Sequence, residues 1–458
     1  MSDIIKSHSR SLNEWLSYLE TIHSTEIDLG LSRIAQVAVL LNVDLSFATV
    51  ITVAGTNGKG TTCAFLENAF MQPECIKQLT MKESITTGVS SVAVYSSPHI
   101  NRFNERLRVD KKDVCDEFFI EAFELIEKAR GDISLSYYEY TTLAAFLIMM
   151  KLKPSIIILE VGLGGRLDAT NIIDADVGVV TTIDLDHQAF LGNDRESIGY
   201  EKAGIMRAEQ LIVVGDTDVP ASVVNYGNSL VVNSGKNTDE QLVNNNMFIR
   251  ERDFQIVQNS LSNWSLKAGA KLLENLKPCH IPQDNVATAL MVLYKLGVSL
   301  NTQFVNMLIG QTKVSGRTEL FTAQEQANFL TSCDVVLDVG HNPQATRYLA
   351  KQIKQYKRDR GYKNIHAVVA MLADKDIENS LKSLIEEIDV WYIGQLDVPR
   401  ASSTKDVANI AAKFANSINC FDNVSQAFKI ANHQANSDDL ILVFGSFFTV
   451  AEVRELLV

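Results

Sequence analysis

The sequence contains few cysteines and prolines, and its apolar runs are short. The six cysteines include no CxxC pair and no Cys/His cluster at zinc spacing, so we expect reduced, mostly buried thiols. Only 8 prolines accompany a hydrophobic content of 46%, which argues against long disordered stretches. The longest apolar runs, such as residues 143–154, are interrupted by lysine or proline and fall short of the roughly 20 residues that a membrane helix needs.

Basic residues are also fewer than acidic ones. Lysine and arginine number 42, against 55 aspartates and glutamates, which gives a formal net charge of −13. Nucleic acids and anionic membranes attract basic surfaces, so neither is an expected partner of this chain as a whole. The polar, amphipathic residues 1–20 lack the features of a secretory signal peptide, and we expect a soluble, cytoplasmic protein.

The length of 458 residues predicts two compact domains. Short β-branched runs alternate with amphipathic segments, a pattern typical of parallel sheets covered by helices. We therefore expect an α/β fold, with an N-terminal P-loop-type, mostly parallel sheet domain over residues 1–314 and a smaller C-terminal Rossmann-like α/β domain over residues 315–458. Residues 216–280 suggest a small antiparallel appendage. The predicted strands are Val50–Ala54, Ser155–Val161, Val177–Ile183, Leu211–Gly215, Asp334–Val339, His366–Ala370, Val390–Ile393 and Leu440–Phe444.

A glycine-rich loop follows the first predicted strand. Residues 55–61 read GTNGKGT and lead into a helical segment. Glycines let backbone N–H groups surround phosphate oxygens, the helix N-terminus adds its dipole, and Lys59 adds a positive charge. The spacing differs from the usual GxxxxGK[ST]. The alternative is an ordinary strand-to-helix turn, but strand, loop, lysine and hydroxyl together favour a nucleotide-phosphate site.

Polar residues follow two other predicted strands, where open α/β sheets bind their ligands. Glu160 ends one of these strands, and a carboxylate beside a phosphate loop suits Mg²⁺. Glu160 would otherwise simply end the strand. Asp168, in the following glycine-rich turn, would orient a polar substrate. His187 follows the next strand; a lone histidine is more often structural, but a position equivalent to that of Glu160 favours a ligand. Composition alone makes Lys202 a solvated lysine.

Further segments accompany these motifs in a fixed order. Together with the phosphate loop and LEVGLGGRLDATN (residues 159–171), they resemble the folylpolyglutamate synthases and dihydrofolate synthases of the Mur ligase superfamily, over essentially the whole chain. The segments are Thr25–Leu31, Tyr95–His99, Tyr138–Thr141, Asp186-His187, residues 194–205, Pro282–Asn285, Gly316-Arg317, Asp338–Pro343 and Gly445-Ser446.

The resemblance implies site residues by position. ATP would bind Gly58, Lys59, Gly60, Thr61, Asn285, Arg317 and Asp338. Magnesium, expected at two sites, would bind Ser97, Glu160 and His187, and Lys202 matches a lysine that the family carbamylates. The catalytic residues would be Lys59, His187, Lys202, Arg317 and His341. The pterin substrate would contact Asp28, Leu29, Gly30, Leu31, Tyr138, Glu139, Tyr140, Thr141, Leu167, Asp168 and Ala169.

The activity implied is an ATP-dependent amide ligase of folate biosynthesis. A carboxylate of dihydropteroate or of a reduced folate's glutamate tail would form an acyl phosphate, which the amine of L-glutamate then attacks. Chains of this family are typically monomers. Whether both acceptors are used stays open, and activity on folylpolyglutamates alone is an alternative. A muramyl ligase is disfavoured because only 54 residues precede Gly55. A non-catalytic nucleotide-binding protein is disfavoured because the phosphate- and metal-binding residue types are all present.

Three positions depart from the family pattern. Residues 72–91 look like an inserted loop, whose effect on substrate entry the sequence leaves open. Gly340 replaces another small residue, a change that we expect to be harmless. Arg317 is followed by Thr318 where an aromatic residue is frequent, which leaves the packing around the nucleotide or linker open.

Overall fold

The computed structural model describes residues 10–23, 25, 27–76, 91–233, 244–258, 263–323 and 330–458, and these ranges contain three β-sheets. The strands of the first sheet are β1 (Thr49–Ala54), β2 (Val92–Tyr95), β3 (Leu107–Val109), β4 (Lys112–Asp113), β5 (Ile156–Glu160), β6 (Val177–Val180), β7 (Leu211–Val214) and β8 (Met247–Ile249). Their order is β4-β3-β2-β5-β1-β6-β7-β8. Strands β2, β3 and β4 pair antiparallel in succession, and all other neighbours pair in parallel.

Helices cover both faces of this sheet. They are α1 (Leu12–Leu19), α2 (Ser32–Leu40), α3 (Lys59–Phe70), α4 (Pro73–Ile76), α5 (Asp116–Arg130), α6 (Tyr137–Leu152), α7 (Gln188–Leu191), α8 (Arg195–Ala203), α9 (Ala221–Asn233), α10 (Gln283–Lys295) and α11 (Thr302–Gln311). Side chains alternate along a strand, so Ile51 and Val53 of β1 pack with α3, α10 and α11, whereas Val50 packs with α1, α2, α5 and α6. Burial on both faces explains why the strands are continuously apolar in sequence.

A small antiparallel sheet lies beside the first one. It consists of β9 (Phe254–Gln258), β10 (Trp264–Ala268) and β11 (Lys271–Leu276). The appendage expected over residues 216–280 is therefore smaller than predicted. Residues 221–233 form α9, which packs against α8, and β8 extends the main sheet by pairing with β7. The polar composition of the segment did not reveal these long-range contacts.

The third sheet contains β12 (Glu319–Phe321), β13 (Asp334–Asp338), β14 (Ile365–Val369), β15 (Val390–Gly394), β16 (Ile418–Phe421) and β17 (Leu440–Phe444). The order is β12-β13-β17-β14-β15-β16, with only β12 antiparallel to its neighbour among these strands. The flanking helices are α12 (Pro343–Arg360), α13 (Ile377–Lys382), α14 (Thr404–Ala411), α15 (Val424–Gln434) and α16 (Phe447–Leu457). The α/β prediction, with a larger, mostly parallel sheet followed by a smaller one, is confirmed.

All eight predicted strands are present, with ends that differ by a few residues. The edge strands β12 and β16 were missed because they are only partly buried and lack a continuous apolar run. The prediction of mostly buried cysteines holds for three of the six: Cys63, Cys75 and Cys333 are buried, Cys279 is partly buried, and Cys115 and Cys420 are exposed. Within the described ranges, no helix is both long and apolar enough to span a membrane.

Candidate active site

The loop between β1 and α3 has a conformation that requires glycine. Gly58 is the N-cap of α3 and has a φ of 88°, in the left-handed region. A Cβ atom at Gly58 would lie 2.4 Å from Oδ1 of Asn285. Asn285, at the start of α10, also donates from Nδ2 to Thr61 Oγ1 at 2.7 Å. The predicted residue Asn285 is thus held directly against the loop.

Lys59 is buried within the same loop. Its Nζ donates to the backbone oxygens of Gly55 at 2.9 Å and Thr56 at 3.3 Å. Burial lowers the pKa of Lys59, an effect that the charges of Glu160 and Asp186 oppose. A lysine tied to its own loop in this way is positioned to exchange backbone oxygens for phosphate oxygens.

A narrow cavity of about 100 Å³ lies in front of this loop. It brings together residues that are far apart in the sequence and that were predicted separately. Its walls include Gly58, Lys59, Gly60, Ser97, Glu160, His187, Lys202, Arg317 and His341. The structure thus places these nine residues around one cavity, and their roles there stay a prediction.

Glu160 occupies the buried end of β5, with a relative exposure of 6%. Burial raises the pKa of Glu160, and the nearby cations Lys59, Arg317 and Arg108 oppose the increase. Among the described residues, no group of three or more His, Cys, Asp or Glu side chains is arranged to hold a metal. The cavity offers the Glu160 carboxylate, the Ser97 hydroxyl and His187, whereas its second carboxylate, Asp186, is already bonded to Lys375 and Asn342. This sparse donor set suits an ion that shares its coordination with phosphate and water.

His187 and Lys202 carry unusual pKa values for their residue types. Burial lowers the pKa of His187 to about 4, and the charges of Lys375, Lys59 and His341 add to the decrease while Asp186 opposes it. Burial, followed by the charge of Lys59, lowers the pKa of Lys202 to about 7. His187 is therefore neutral at pH 7, and a large fraction of Lys202 is neutral too.

Asp186, which sequence reasoning did not select, joins the two larger sheets. It follows β6, and its carboxylate accepts from Lys375 Nζ at 2.8 Å and from Asn342 Nδ2 at 3.1 Å, with His341 Nε2 at 3.7 Å. Burial would raise the pKa of Asp186, but the hydrogen bond with His341 and the charge of Lys375 lower it strongly. Asn57 of the phosphate loop also donates to Asn342 Oδ1 at 3.1 Å.

Arg317 and Asp338 approach this region from the linker and from β13. The Arg317 guanidinium lies over the ring of Phe447 at 5.3 Å, so α16 provides the aromatic contact that Thr318 does not. Asp338 is buried, and its carboxylate accepts from the backbone N–H groups of Thr318 at 2.8 Å and Gly340 at 2.7 Å. Asp338 therefore shapes the turns on either side of it and does not line the narrow cavity.

A second cavity of about 800 Å³ adjoins the narrow one, and the two share Ser97, Gly162 and His187. Most of the residues predicted to contact a pterin lie on its walls: Asp28, Leu29, Gly30, Tyr138, Glu139, Leu167, Asp168 and Ala169.

Leu31, Tyr140 and Thr141 do not line this cavity, and their role as pterin contacts stays a prediction that the structure does not support. Leu31 is the N-cap of α2. The Tyr140 hydroxyl donates to Glu127 at 2.8 Å within the core, and Thr141 is bonded to the Tyr95 hydroxyl at 3.3 Å. Successive helical residues point about 100° apart, so the cavity-facing pair at 138–139 leaves the next two residues facing inward.

Acidic groups on the cavity wall are tied into networks. Asp28 pairs with Arg33 at 2.8 Å and Arg33 pairs with the buried Glu139 at 3.1 Å. Asp168 accepts from the N–H groups of Gly162 and Leu163, both at 3.0 Å, and burial raises its pKa. Asp168 therefore stabilises the glycine-rich turn that separates the two cavities.

A third cavity, of about 610 Å³, also reaches His187. Its walls include Asp186, Lys375 and Arg400. His187 is thus common to three cavities of the described structure. Most of the loop predicted over residues 72–91, residues 77–90, lies outside the described residues.

Comparison with known proteins gives consistent matches. Residues 53–273 match the family model described as the Mur ligase middle domain, and residues 316–447 match the Mur ligase, glutamate ligase domain. The chain is 39% identical to an Escherichia coli dihydrofolate synthase/folylpolyglutamate synthase, covering 97% of this chain and 95% of the relative. It is 37% identical to the protein of the same name from Haemophilus influenzae, with 96% of each chain covered.

Solved structures match over nearly the same length. An E. coli enzyme solved in complex with DHPP and ADP superimposes with a TM-score of 0.84 and 38% identity, covering 98% of this chain and 97% of that one. A bifunctional folylpolyglutamate synthase/dihydrofolate synthase from Yersinia pestis, solved with AMPPNP and a Mn ion, gives a TM-score of 0.83 and 37% identity, covering 98% of each chain.

Proposed function

This chain belongs to the dihydrofolate synthase/folylpolyglutamate synthase family of the Mur ligase superfamily, and on that premise we propose how its residues carry out the reaction. The enzyme is an ATP-dependent ligase that adds L-glutamate to dihydropteroate and to the glutamate tail of reduced folates. The observation that carries the proposed assignment of residues is the convergence of three cavities on His187, since the reaction brings together three substrates.

ATP phosphates bind the loop before α3, with N–H groups from Gly58 and Gly60, the Lys59 ammonium and the Thr61 hydroxyl. Asn285 supports the loop through its hydrogen bond to Thr61. Arg317 reaches the phosphates from the linker. We assign Asp338 an indirect role, because its carboxylate already accepts from the backbone N–H of Thr318, next to Arg317, and from that of Gly340 in its own loop.

The residue types around Glu160 fit a magnesium ion. Ser97, Glu160 and His187 would hold it, with a carboxylate formed by carbamylation of Lys202 as a further ligand or a support. Bound magnesium would neutralise charge on the transferring phosphoryl group. The presence of two ions, as expected from the sequence, stays a prediction.

The acceptor substrate occupies the 800 Å³ cavity, with its pterin ring near Asp28 and Tyr138 and its reactive carboxylate in the narrow cavity. That carboxylate attacks the γ-phosphorus of ATP, the bond to the bridging oxygen breaks, and ADP leaves. Lys59, Arg317 and His341 stabilise charge on the phosphoryl oxygens. The neutral amine of L-glutamate then attacks the acyl carbon, phosphate leaves with the bonding electrons, and the amine's excess proton passes to the released phosphate or to water.

L-Glutamate enters through the 610 Å³ cavity. Lys375 and Arg400 lie on its wall, where they pair with Asp186 and Asp374, and a bound dicarboxylate would share these two cations. His187 lies where this cavity meets the acceptor cavity. Closure of the domains around this point would exclude water from the acyl phosphate. Residues 1–314 and 315–458 are the proposed domains, and a cytoplasmic monomer stays a prediction.

Phosphate release by the purified protein tests this function. With ATP, Mg²⁺ and L-glutamate, we expect release with dihydropteroate and with tetrahydrofolate, and little release without an acceptor. The mass of each product should increase by one glutamyl residue. Release with tetrahydrofolate alone would support the folylpolyglutamate-only alternative. ATP binding without acceptor-dependent release would support a non-catalytic nucleotide-binding protein.

Replacing Lys375 by methionine should impair the contact between the domains. The Lys375 and Asp186 side chains are only 6% and 10% exposed, and removing one partner of such a pair costs about 3 kcal/mol. Because Asp186 also binds Asn342 and approaches His341, we expect kcat to fall by roughly 10- to 100-fold. Steady-state kinetics with each substrate measures the effect.

Lys357→Met is a matched control for this variant. Lys357 pairs with Asp389 at 3.4 Å on the surface, where both side chains are at least one-third exposed. Exposed pairs contribute about 0.2–1 kcal/mol, so kcat should stay within about 2-fold of wild type. An equal change in the two variants would contradict a role for the contact between Lys375 and Asp186.

A further inference from the structure

Arg106 is a buried cation on the wall of the acceptor cavity, and the proposed mechanism does not use it. It ends the 3₁₀ turn Phe103–Arg106 and is 9% exposed. Its guanidinium lies 5.7 Å from the ring centre of Phe103 and 5.5 Å from that of Tyr137. Its Nε donates to His99 Nδ1 at 2.9 Å. These contacts fix the orientation of the guanidinium group.

The His99 contact does not neutralise this charge. Burial, followed by the charge of Arg106, lowers the pKa of His99 to about 4, so His99 accepts the hydrogen bond as a neutral ring at pH 7. Arg106 forms no ion pair with any carboxylate of the described residues at 4.0 Å or less. Other arginines on this side of the molecule are paired, Arg33 with Asp28 and Arg400 with Asp374. Burying a guanidinium without a carboxylate to balance its charge is costly, and an anionic ligand would relieve that cost.

The two acceptors differ in the anions that they can offer. Dihydropteroate has one carboxylate, which is the reacting group. A folate with a glutamate tail has a reacting γ-carboxylate and also an α-carboxylate on the same terminal residue. The reacting carboxylate has to reach the narrow cavity by the phosphate loop, and Arg106 does not line that cavity. Of the narrow cavity and the acceptor cavity, Arg106 lines only the acceptor cavity.

We propose that Arg106 binds the α-carboxylate of the terminal glutamate of folate acceptors and thereby favours folates over dihydropteroate. This proposal rests on the assignment of the acceptor cavity in the proposed function. The terminal N–H groups of a guanidinium fit a carboxylate in two parallel hydrogen bonds, and the restraint by His99 and the aromatic rings orients them in advance. Dihydropteroate has no group to make this contact.

Kinetics of Arg106→Gln with both acceptors tests the proposal. We expect kcat/KM for tetrahydrofolate to fall roughly 10- to 100-fold, mainly through KM, since a hydrogen bond between charged groups is lost. The value for dihydropteroate should stay within about 3-fold of wild type, which also shows that the variant is folded. Arg106→Lys keeps the charge and should recover part of the loss. A matched control is Arg102→Gln on the same turn, whose side chain is 69% exposed and pairs with Asp113.

An analogue that lacks the α-carboxylate provides a second arm. Tetrahydropteroyl-γ-aminobutyrate keeps the reacting carboxylate and removes only the group assigned to Arg106. For wild type, kcat/KM should be lower with this analogue than with tetrahydrofolate, by the same factor that Arg106→Gln loses with tetrahydrofolate. For Arg106→Gln, kcat/KM should be similar with the analogue and with tetrahydrofolate. Equal losses of Arg106→Gln with both natural acceptors, or unchanged discrimination against the analogue, would overturn the proposal. Failure of the proposed function would differ, because wild type itself would then release no acceptor-dependent phosphate.

Discussion

Replacement of Lys59 by methionine is expected to lower kcat for acceptor-dependent phosphate release by about 100- to 1,000-fold. Methionine keeps the length and apolar stem of the lysine but removes the charge that would face the phosphates. The Lys59 amine is buried and bonded to the backbone of Gly55 and Thr56, so water cannot easily replace it. The transferring phosphoryl group would lose a fixed positive charge in a buried site, where water screens such a charge less than at the surface.

Two measurements separate this effect from misfolding. The thermal unfolding midpoint of Lys59→Met should stay close to wild type or rise, because burial already lowers the pKa of this lysine and penalises its charged form. Lys382→Met, at an exposed position in the last turn of α13, should retain kcat within about 2-fold. Retention of more than about a tenth of wild-type kcat by Lys59→Met would be inconsistent with phosphate stabilisation by this side chain.

Replacement of Lys202 by alanine should produce a loss of similar size, about 100- to 1,000-fold in kcat. Lys202 is 3% exposed, in α8, and lines the narrow cavity together with Glu160 and His187. Only a neutral amine reacts with CO₂, and an ordinary lysine is neutral at pH 7 in roughly one molecule in three thousand. With a pKa of about 7, close to half of Lys202 is neutral at that pH. The site therefore favours carbamylation.

Chemical rescue distinguishes a carbamate from an ammonium group at position 202. Acetate or propionate should restore part of the activity of Lys202→Ala if the native group is a carboxylate, because the small acid fits the space left by the side chain. Rescue by ethylamine and not by acetate would contradict carbamylation. In wild type stripped of CO₂, reactivation at a fixed concentration of dissolved CO₂ should be faster at pH 8 than at pH 6. The neutral fraction of the amine increases as pH rises through about 7.

The sequence by itself indicated most of the buried strands and some of the site residues that follow them. Parallel strands buried on both faces appear as continuous apolar runs, and β1, β5 and β6 were recognised in this way. Glu160 and His187 were selected because chemistry-bearing residues follow such runs, at the edge where open sheets bind ligands. The sequence also indicated the phosphate loop from its glycines, and the structure adds the reason at Gly58, whose backbone is left-handed.

Only the tertiary structure decided which residues meet and which face a helix presents. Asp186 contacts Lys375 from 189 positions along the chain, and no local periodicity encodes a pairing at that distance. Helix α6 contributes Tyr138 to the acceptor cavity and Tyr140 to the core, although both belong to one recognisable motif. Arg106 is distinctive because its surroundings bury it with no carboxylate partner within the part of the chain that the structure describes. Sequence patterns report local backbone preference and burial, whereas charge partners and cavity walls depend on how distant elements pack.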